Sequence, residues 1–382
     1  MMEFIKKIIA VFKKDIMLAV AVAAAIVSFF ITPPDISLIY NIDWKTLATL
    51  FMLLLVLEGF KSEELFLPVI RLAGKFKNRL SLGFFLVFGV FFSSMFVTND
   101  VSLIIFVPLT ILLFQGADME EMILPILTLE NIAAVRGSLL TPFGSPQNLF
   151  LFSQSGISFP EFLKMMLPLW IMSIILLIIF LFFIYRKNRK QELKISYDPK
   201  QQWGPERKKQ RILYLVLFVI VVAMIISRTT LWPYITLALV IALAIADRKI
   251  FVKVDYALIL TFLCFFIFSS SIAGNDTIAG FLSRSVAGNE YLWSLAISQL
   301  ISNVPASIVL WPFTADLRAL IYGLDSAGLV TVIGSLASVI NLRLYTKSYP
   351  GQGGKFMKTF EMISIIFFLC VFPLQLLIMN LI

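Results

Sequence analysis

Long apolar stretches, separated by short polar or basic stretches, make up nearly the whole chain. Apolar runs at 17–31, 167–185, 212–226 and 362–382 approach or exceed the roughly 18 residues that indicate a membrane-spanning helix. The first run has no small-residue cleavage site and further spans follow it, so we expect it to remain as a helix rather than act as a signal peptide. The pattern predicts an all-α polytopic membrane protein.

The composition agrees with this prediction. Of the 382 residues, 59% are hydrophobic and only 14% are charged, and the mean hydropathy is +0.93. A soluble domain of this length needs a more polar surface. Cys264 and Cys370 both lie within apolar runs, so we expect them to pack in the interior without a disulfide.

Basic residues beside the apolar runs indicate the topology. The net charge of +9 fits positive loops on the cytoplasmic side of a membrane, so we expect no nucleic-acid partner. The basic N-terminal segment is predicted to lie in the cytoplasm. Its basic residues are Lys6, Lys7, Lys13 and Lys14.

The first two spans follow from this orientation. A span at 16–32 leads to an external loop containing Pro33, Pro34 and Asp35, and a span at 44–59 returns to the cytoplasm. The basic, amphipathic stretch 61–79 is predicted to lie along the inner membrane surface.

A basic linker at 186–211 divides the chain. It holds ten lysines and arginines against three acidic residues, which predicts a cytoplasmic location. A first repeat at 1–185 precedes it, and a connector span at 212–227 leads to a second repeat at 228–382. Two further basic stretches in the second repeat are also predicted to be cytoplasmic, which places the C-terminus outside.

Two matching segments suggest that the halves are repeats. Thr98-Asn99 and Ser302-Asn303 each begin with a hydroxyl residue, each Asn is followed nine positions later by Pro, and Thr comes two positions after that Pro. We interpret these segments as re-entrant hairpins at 81–114 and 290–315. The charge topology makes the first enter from the cytoplasm and the second from outside.

Each hairpin is followed by a second polar interruption. Thr141–Asn148 interrupts a helix at 122–154, and Gly334-Ser335, preceded by Thr331, interrupts one at 319–345. A span at 160–185 completes the first repeat, and a last span at 356–382 completes the second. Matching interruptions in two inverted halves point to a transporter site near the bilayer midplane. Ordinary proline and glycine kinks are the alternative explanation.

Helices that start inside the membrane could bind an anion at the interruptions. Their unpaired N–H groups and partial positive charge favour a small oxyanion or carboxylate, and unwound carbonyls could hold Na⁺. The candidate substrate-binding residues are Thr98, Asn99, Ser102, Thr141, Gly144, Ser145, Asn148, Ser302, Asn303, Ser307, Gly334 and Ser335.

Charged residues within the apolar runs are the candidates for ion coupling, because such residues are costly in a membrane. Histidine is absent, so any coupled proton needs a carboxylate. Asp100 and Asp325 are the coupling candidates, and Na⁺ is predicted at Asn99, Asp100 and Asn303. Glu130 and Arg136 are candidates for charge pairing. Their separation of six positions is not a helical neighbour spacing, so we expect different partners for each.

Common enzyme motifs are missing. Gly354-Lys355 is followed by Phe356 and lacks the upstream glycine of a P-loop, and no histidine exists for a hydrolase triad or a zinc motif. We therefore expect neither an enzyme nor a cofactor other than Na⁺.

The interrupted segments resemble those of the ion transporter superfamily, in its arsenite-permease and citrate-transporter-like branch. The resemblance rests on Thr98–Asp100 with Pro108, on Thr141–Leu149, on Ser302–Pro305, and on Gly323–Ser338. It implies about eleven spans, a homodimer, and an elevator mechanism in which a transport domain moves past a scaffold. Relatives that carry sodium and dicarboxylates have Ser-Asn-Thr tips, which are Thr-Asn-Asp and Ser-Asn-Val here.

Together these features predict a secondary active transporter that couples Na⁺ or H⁺ to a small anion by alternating access. It would lie in a cell membrane, either a bacterial inner membrane or a plasma membrane, in contact with lipid. Two alternatives stay open. One is a Na⁺/H⁺ antiporter that uses Asp100 and Asp325, and the other is a passive channel.

Overall fold

A computed structural model describes residues 16–34, 37–65, 67–73, 76, 78–186 and 207–381. All regular secondary structure in these residues is helical, which confirms the all-α prediction. Seven of the described helices are long and apolar enough to cross a membrane, and two further described helices are apolar but shorter. The basic N-terminal residues, most of the linker at 186–211 and part of the stretch 61–79 lie outside the described residues.

Among its described residues, the first half contains nine α-helices, with two turns of 3₁₀ helix between the seventh and the eighth. They are α1 (Ile16–Ile31), α2 (Ser37–Asn41), α3 (Trp44–Ser62), α4 (Leu67–Ala73), α5 (Arg79–Val97), α6 (Asn99–Gly116), α7 (Glu120–Gly137), α8 (Pro146–Ser155) and α9 (Phe159–Ile184).

The second half follows the linker. Its helices are α10 (Lys208–Ser227), α11 (Trp232–Ala246), α12 (Tyr256–Ala273), α13 (Asp276–Val286), α14 (Glu290–Ile301), α15 (Asn303–Leu310), α16 (Leu317–Ala327), α17 (Leu336–Ser348) and α18 (Gly353–Leu381).

The two halves run through the same order of elements. Two spans come first, then a short helix, a hairpin, an interrupted helix and one long helix, with α10 as the unmatched connector. Local geometry repeats as well. Asp43 caps α3 by accepting from the backbone N–H of Thr46, and Asp255 caps α12 by accepting from that of Leu258, with φ/ψ of −77°/81° and −77°/82°. An aspartate at this position satisfies an N–H that the helix leaves free.

Within the described part of the chain, five membrane crossings separate the two hairpins: the interrupted helix α7–α8, then α9, α10, α11 and α12. A hairpin returns the chain to the face from which it entered, so an odd number of crossings makes the second hairpin enter from the opposite face. The helix ends on the first hairpin's side carry most of the basic residues, and we call this side the basic face. These residues are Lys61, Arg79, Arg186, Lys208, Arg211, Arg248, Lys249, Lys253, Arg343, Lys347, Lys355 and Lys358.

The helices form two groups by their packing. The central bundle comprises α5–α9 and α14–α18, in which α6 packs against α17 and α15 packs against α8, so each hairpin contacts the interrupted helix of the other half. The flanking bundle comprises α1–α3 and α10–α12, in which α1 packs against α12, and α3 packs against α10 and α11. The interruptions therefore lie inside the central bundle.

Candidate functional site

Each hairpin turns at one residue with an unusual backbone. Thr98 lies between α5 and α6 with φ 70° and ψ 155°, and Ser302 lies between α14 and α15 with φ 68° and ψ 159°. This region of φ and ψ is almost exclusive to glycine, and other residues found there commonly mark functional sites. The following residues, Asn99 and Asn303, begin the second arms and are buried.

The interrupted helices also share one local structure. Thr141 and Thr331 are extended, a single turn of 3₁₀ helix follows each, and Ser145 and Ser335 are extended again before α8 and α17 begin. A Cβ atom on Gly144 would lie 2.3 Å from the carbonyl oxygen of Ser138, so no larger residue fits there. The same holds for Gly334, where a Cβ would lie 2.1 Å from the carbonyl oxygen of Ala327.

Hydrogen bonds join each interruption to the first arm of its own hairpin. The Thr141 hydroxyl donates to the carbonyl oxygen of Met95 at 2.5 Å, and the Thr331 hydroxyl donates to the side-chain oxygen of Gln299 at 2.7 Å. Met95 and Gln299 each lie three residues before their hairpin's turn. The two hairpin tips are therefore held against the two interruptions in equivalent ways.

A cavity of about 160 Å³ reaches the first hairpin tip from the basic face. Thr98, Asp100 and Ser145 line it on the side of the central bundle. The flanking bundle contributes residues of α3 and the start of α12. The charged lining residues from these helices are Glu58, Lys61, Lys253 and Asp255.

Two polar atoms at this site are buried without a protein partner. They are one carboxylate oxygen of Asp100 and the hydroxyl of Ser145, which lie in the first turn of α6 and at the start of α8. Buried polar atoms usually have hydrogen-bond partners, so these two oxygens are open to a ligand. Lys61 forms an ion pair with Glu58, and Lys253 donates to the Ser62 hydroxyl at 2.9 Å.

The two asparagines predicted to bind ligand make contacts within the protein. The Asn99 side chain accepts from the backbone N–H of Asp100 at 2.9 Å, and the Asn303 amide donates to the Leu324 carbonyl at 3.3 Å. Ser302 makes a long contact of 3.5 Å with Asn303. The cavity at the first tip is lined by neither asparagine. Among the residues predicted to hold Na⁺, only Asp100 presents a free oxygen there.

Two predicted serines form local hydrogen bonds. The Ser102 hydroxyl accepts from the Ser93 hydroxyl at 2.9 Å, which joins the two arms of the first hairpin. The Ser307 hydroxyl donates to the Val304 carbonyl at 2.6 Å within α15. Both are buried, so the structure places them in the packing of the hairpins.

Asp325 is buried where the two halves meet. Its two carboxylate oxygens accept from the side-chain amides of Gln147 at 3.0 Å and Asn148 at 3.1 Å, both in the first turn of α8. The carboxylate is thus held at a helix N-terminus, where negative charge is favoured. Asp325 lies outside the lining of the cavity at the first tip.

Arg136 and Glu130 have different partners, and neither forms an ion pair with a described residue. Arg136 donates to the Ser173 hydroxyl at 3.0 Å, to the Ser326 hydroxyl at 3.3 Å and to the Asp325 backbone carbonyl at 3.4 Å. Glu130 accepts a hydrogen bond from the Thr110 hydroxyl. Both residues are fully buried in α7.

A second cavity, of about 500 Å³, lies on the opposite face. Many of its lining residues have an equivalent in the other repeat, at the same position, that lines the basic-face cavity. The pairs, with the basic-face residue first, are Asp255 and Asp43, Leu54 and Phe266, Leu57 and Ser269, Glu58 and Ser270, Lys61 and Ala273, and Ile104 and Ile308. The opposite-face cavity does not include Ser302 or Asn303, so it stops short of the second tip.

Sequence reasoning missed four residues of this region. Gln147 stands beside the predicted Asn148, and its contact with Asp325 joins segments far apart in the chain, so only the fold reveals it. Asp255 repeats the Asp43 cap before an apolar run, and this pattern could have been recognised. No pattern in the sequence around Gln299 or Lys253 indicates a role for these residues at the site.

Comparison with known proteins gives a consistent assignment. The family described as citrate transporters matches residues 7–334. An uncharacterized transporter of Methanocaldococcus jannaschii is 34% identical over 310 residues, which are 79% of this chain and 81% of that protein. The inner membrane protein YbiR of Escherichia coli is 29% identical over 323 residues, which are 83% of this chain and 84% of that protein. These matches confirm the resemblance found in the sequence, and the chain belongs to the citrate transporter family of membrane transporters.

Proposed function

We propose that this protein is an ion-coupled secondary transporter of a small carboxylate anion and works by alternating access. One observation carries the proposal. Two cavities on opposite faces are built from equivalent positions of the two repeats, and only the basic-face cavity reaches a hairpin tip. Exchanging the conformations of the repeats would open the second tip and close the first. Such an exchange delivers one site to each side in turn.

In this proposal the central bundle is the transport domain and the flanking bundle is the scaffold. The first tip lies between them, with Asp100 on the transport domain and Asp255 on the scaffold. An elevator movement of the central bundle would carry Asp100 and Ser145 away from the scaffold residues of the cavity. The basic face is the cytoplasmic side, because lysine and arginine concentrate there.

The substrate class follows from the family and from the site. Citrate-like carboxylates suit the N-termini of α6 and α8, whose first turns meet at the basic-face cavity. The free oxygens of Asp100 and Ser145 suit a coupling cation or proton that accompanies the anion. Cation exchange between Asp100 and Asp325 has less support, since Gln147 and Asn148 hold both carboxylate oxygens of Asp325.

Cysteine labelling tests the alternating-access proposal. In a background with Cys264 and Cys370 replaced by alanine, we expect Thr98→Cys to react with a polar thiol reagent from the basic face. Ser302→Cys should be protected under the same conditions. When solute and ion gradients drive transport, Thr98→Cys should become protected and Ser302→Cys should become reactive. Equal and constant labelling of both cysteines would rule out alternating access.

Uptake into proteoliposomes tests the substrate and the coupling ion. Citrate and simpler dicarboxylates are compared with and without a Na⁺ gradient or a pH gradient. Asp100→Asn should abolish coupled uptake, and normal coupled uptake by this variant would remove Asp100 from the mechanism. The predicted homodimer is tested separately, by light scattering of the purified protein in detergent.

A further inference from the structure

A second group of buried polar residues lies in the central bundle, away from the hairpin tips. Glu130 lies in α7, Thr110 in the second arm of the first hairpin, and Tyr185 directly after α9. All three side chains are fully buried or nearly so. None of them lines the two cavities described above.

The contacts of Glu130 favour a protonated side chain. One carboxyl oxygen is bonded to the Thr110 hydroxyl, and the other is buried without a partner. The nearest arginine along α7, Arg136, is bonded to Ser173 and Ser326. A carboxylate buried with one hydroxyl partner and no ion pair is costly, whereas a protonated carboxyl is not.

Tyr185 is the titratable residue next to Glu130 in the direction of the basic face. Its hydroxyl is buried without a partner and packs against Gly83, where a Cβ atom would lie 2.7 Å from the hydroxyl oxygen. The hydroxyl lies close enough to Glu130 and to Arg79 to interact electrostatically with an ionised form of either side chain.

Arg79 connects this group to the surface. One guanidinium nitrogen lies 3.5 Å from a carboxylate oxygen of Glu121, which is exposed on the basic face. Another guanidinium nitrogen, Nε, is buried without a partner. Unpartnered polar atoms thus occur at Arg79, Tyr185 and Glu130, in order from the basic face towards the interior.

The other helices packed against α7 bring mainly neutral groups to the turns beside Glu130. On α17, Ser338 accepts from Asn131 at 2.9 Å, and Asn341 donates to the Leu127 carbonyl at 2.8 Å. On α16, Asp325 is the carboxylate that acts on Arg136 rather than on Glu130. Tyr185 is thus the titratable group described as interacting with Glu130, and Arg79 lies beyond it.

We propose that Glu130 is a proton-binding site of the transporter, separate from the hairpin tips, and that protons reach it from the basic face by way of Tyr185. The Tyr185 hydroxyl and the free oxygen of Glu130 are not hydrogen-bonded to each other, so each transfer needs a bridging water. That water gives a proton to the Glu130 oxygen and takes one from the Tyr185 hydroxyl, which in turn takes one from water at Arg79. The phenol and the bridging water are then unchanged, the carboxylate has gained one proton, and the water at Arg79 has become hydroxide, which the bulk solution neutralises. Arg79 keeps its charge throughout and positions the water.

The site would couple the proton to hairpin movement through Thr110. This residue lies on α6, whose first turn carries Asp100 at the cavity. Loss of the proton leaves a charge between α6 and α7, which favours a rearrangement of the hairpin that admits water. The inference rests on the proposed ion coupling and adds a second titratable position to it.

The first test uses Glu130→Gln, which keeps the size of the side chain and a hydrogen bond to Thr110. In proteoliposomes we expect anion binding to be retained, the pH dependence of uptake to weaken, and the number of protons moved per anion to fall by one. Unchanged proton movement and an unchanged pH profile would overturn the proposal. Melting of the purified variant checks that it folds.

Tyr185→Phe tests the route separately from the site. It keeps the packing against Gly83, so proton uptake should slow several-fold while the number of protons moved per anion stays the same. Tyr234→Phe, at an exposed tyrosine, is the matched control and should leave the rate unchanged. If Tyr185→Phe behaves like this control, protons reach Glu130 by another route and the proposal is wrong on that point.

Infrared spectroscopy makes the inference independent of the transported solute. The carbonyl band of a protonated carboxyl group should be present at neutral pH in the wild-type protein and lost in Glu130→Gln. Thr110→Val should shift this band by removing its hydrogen-bond partner. The absence of any difference between wild type and Glu130→Gln would overturn the proposal, even if the transported anion were never identified.

Discussion

Thr98 and Ser302 have the same backbone conformation, with φ/ψ of 70°/155° and 68°/159°, although 203 residues lie between them. Both residues carry a Cβ in a region that glycine alone occupies readily. Such a conformation costs on the order of 1–3 kcal/mol at each residue. Because both hairpin tips adopt this costly conformation, we infer that the geometry of the turn is needed for function at the expense of folding stability.

Glycine at either tip should therefore stabilise the protein. We expect Thr98→Gly and Ser302→Gly each to raise the free energy of unfolding by about 1 kcal/mol, because relief of strain exceeds the entropy cost of glycine. Thermal unfolding in detergent measures the effect. Ser283→Gly, in the exposed part of α13, is the control and should lower stability by a similar amount. A lower melting temperature for both tip variants would show that the tips are not strained.

The glycines of the interruptions should not tolerate even alanine. Gly144→Ala and Gly334→Ala would place a Cβ against backbone carbonyl oxygens, and each should lower the free energy of unfolding by about 1–3 kcal/mol. Transport should fall with stability, since the tips rest on these turns. Gly280→Ala is the control, because nothing lies within 4 Å of a Cβ there. Equal melting temperatures for Gly144→Ala and Gly280→Ala would contradict this prediction.

Contacts on the opposite face should favour the conformation seen here. Gln154, at the end of α8, donates to Asp43 at 2.6 Å, and Arg228 donates to the Phe152 carbonyl and lies 4.1 Å from the centre of the Phe152 ring. These contacts join the central and flanking bundles. We expect Gln154→Leu or Arg228→Gln to increase labelling of Ser302→Cys from the opposite face.

Arg284→Gln is the control for this experiment. Arg284 is exposed and bonded within its own helix, to the Gly280 carbonyl at 2.9 Å. It should leave the labelling rate unchanged. If Gln154→Leu and Arg228→Gln also leave it unchanged, these contacts do not hold the opposite face closed.

Asp325 should be needed for the structure of the site. In Asp325→Asn one of the two amides, from Gln147 or Asn148, meets another N–H₂ group and loses its acceptor. The loss of a buried, charge-assisted hydrogen bond should cost about 1.5–3 kcal/mol of unfolding free energy. Thermal unfolding checks this value. Asp118→Asn, at an exposed residue with φ of 52°, is the control and should have little effect.

The positions of the interruptions could be predicted because they depend on local chemistry. Matched polar residues within apolar runs place the turns near Asn99, Asn303, Thr141 and Gly334. Proline alone does not mark an interruption, because Pro108, Pro125, Pro168 and Pro373 lie inside continuous helices. Helix α9 runs from Phe159 to Ile184, and a span was predicted at 160–185.

The contacts made by the site residues could not be predicted in this way. Asp325 and Asn148 meet across the two halves, and nothing in either segment specifies that distance. Asn303 has the residue type of a ligand-binding residue, yet its amide bonds to the Leu324 carbonyl. Whether a polar side chain faces a ligand or another helix is decided by packing, and packing depends on the whole bundle.

The two cavities differ in how their charges are placed, and this has a kinetic consequence. The basic-face cavity carries Lys61 and Lys253 beside Glu58, Asp100 and Asp255, whereas Asp43 is the charged residue in the described lining of the opposite cavity. Salt screens attractive and repulsive interactions between such groups. The solute concentration at half-saturation should therefore change more with ionic strength when solute is supplied from the basic face than when it is supplied from the opposite face.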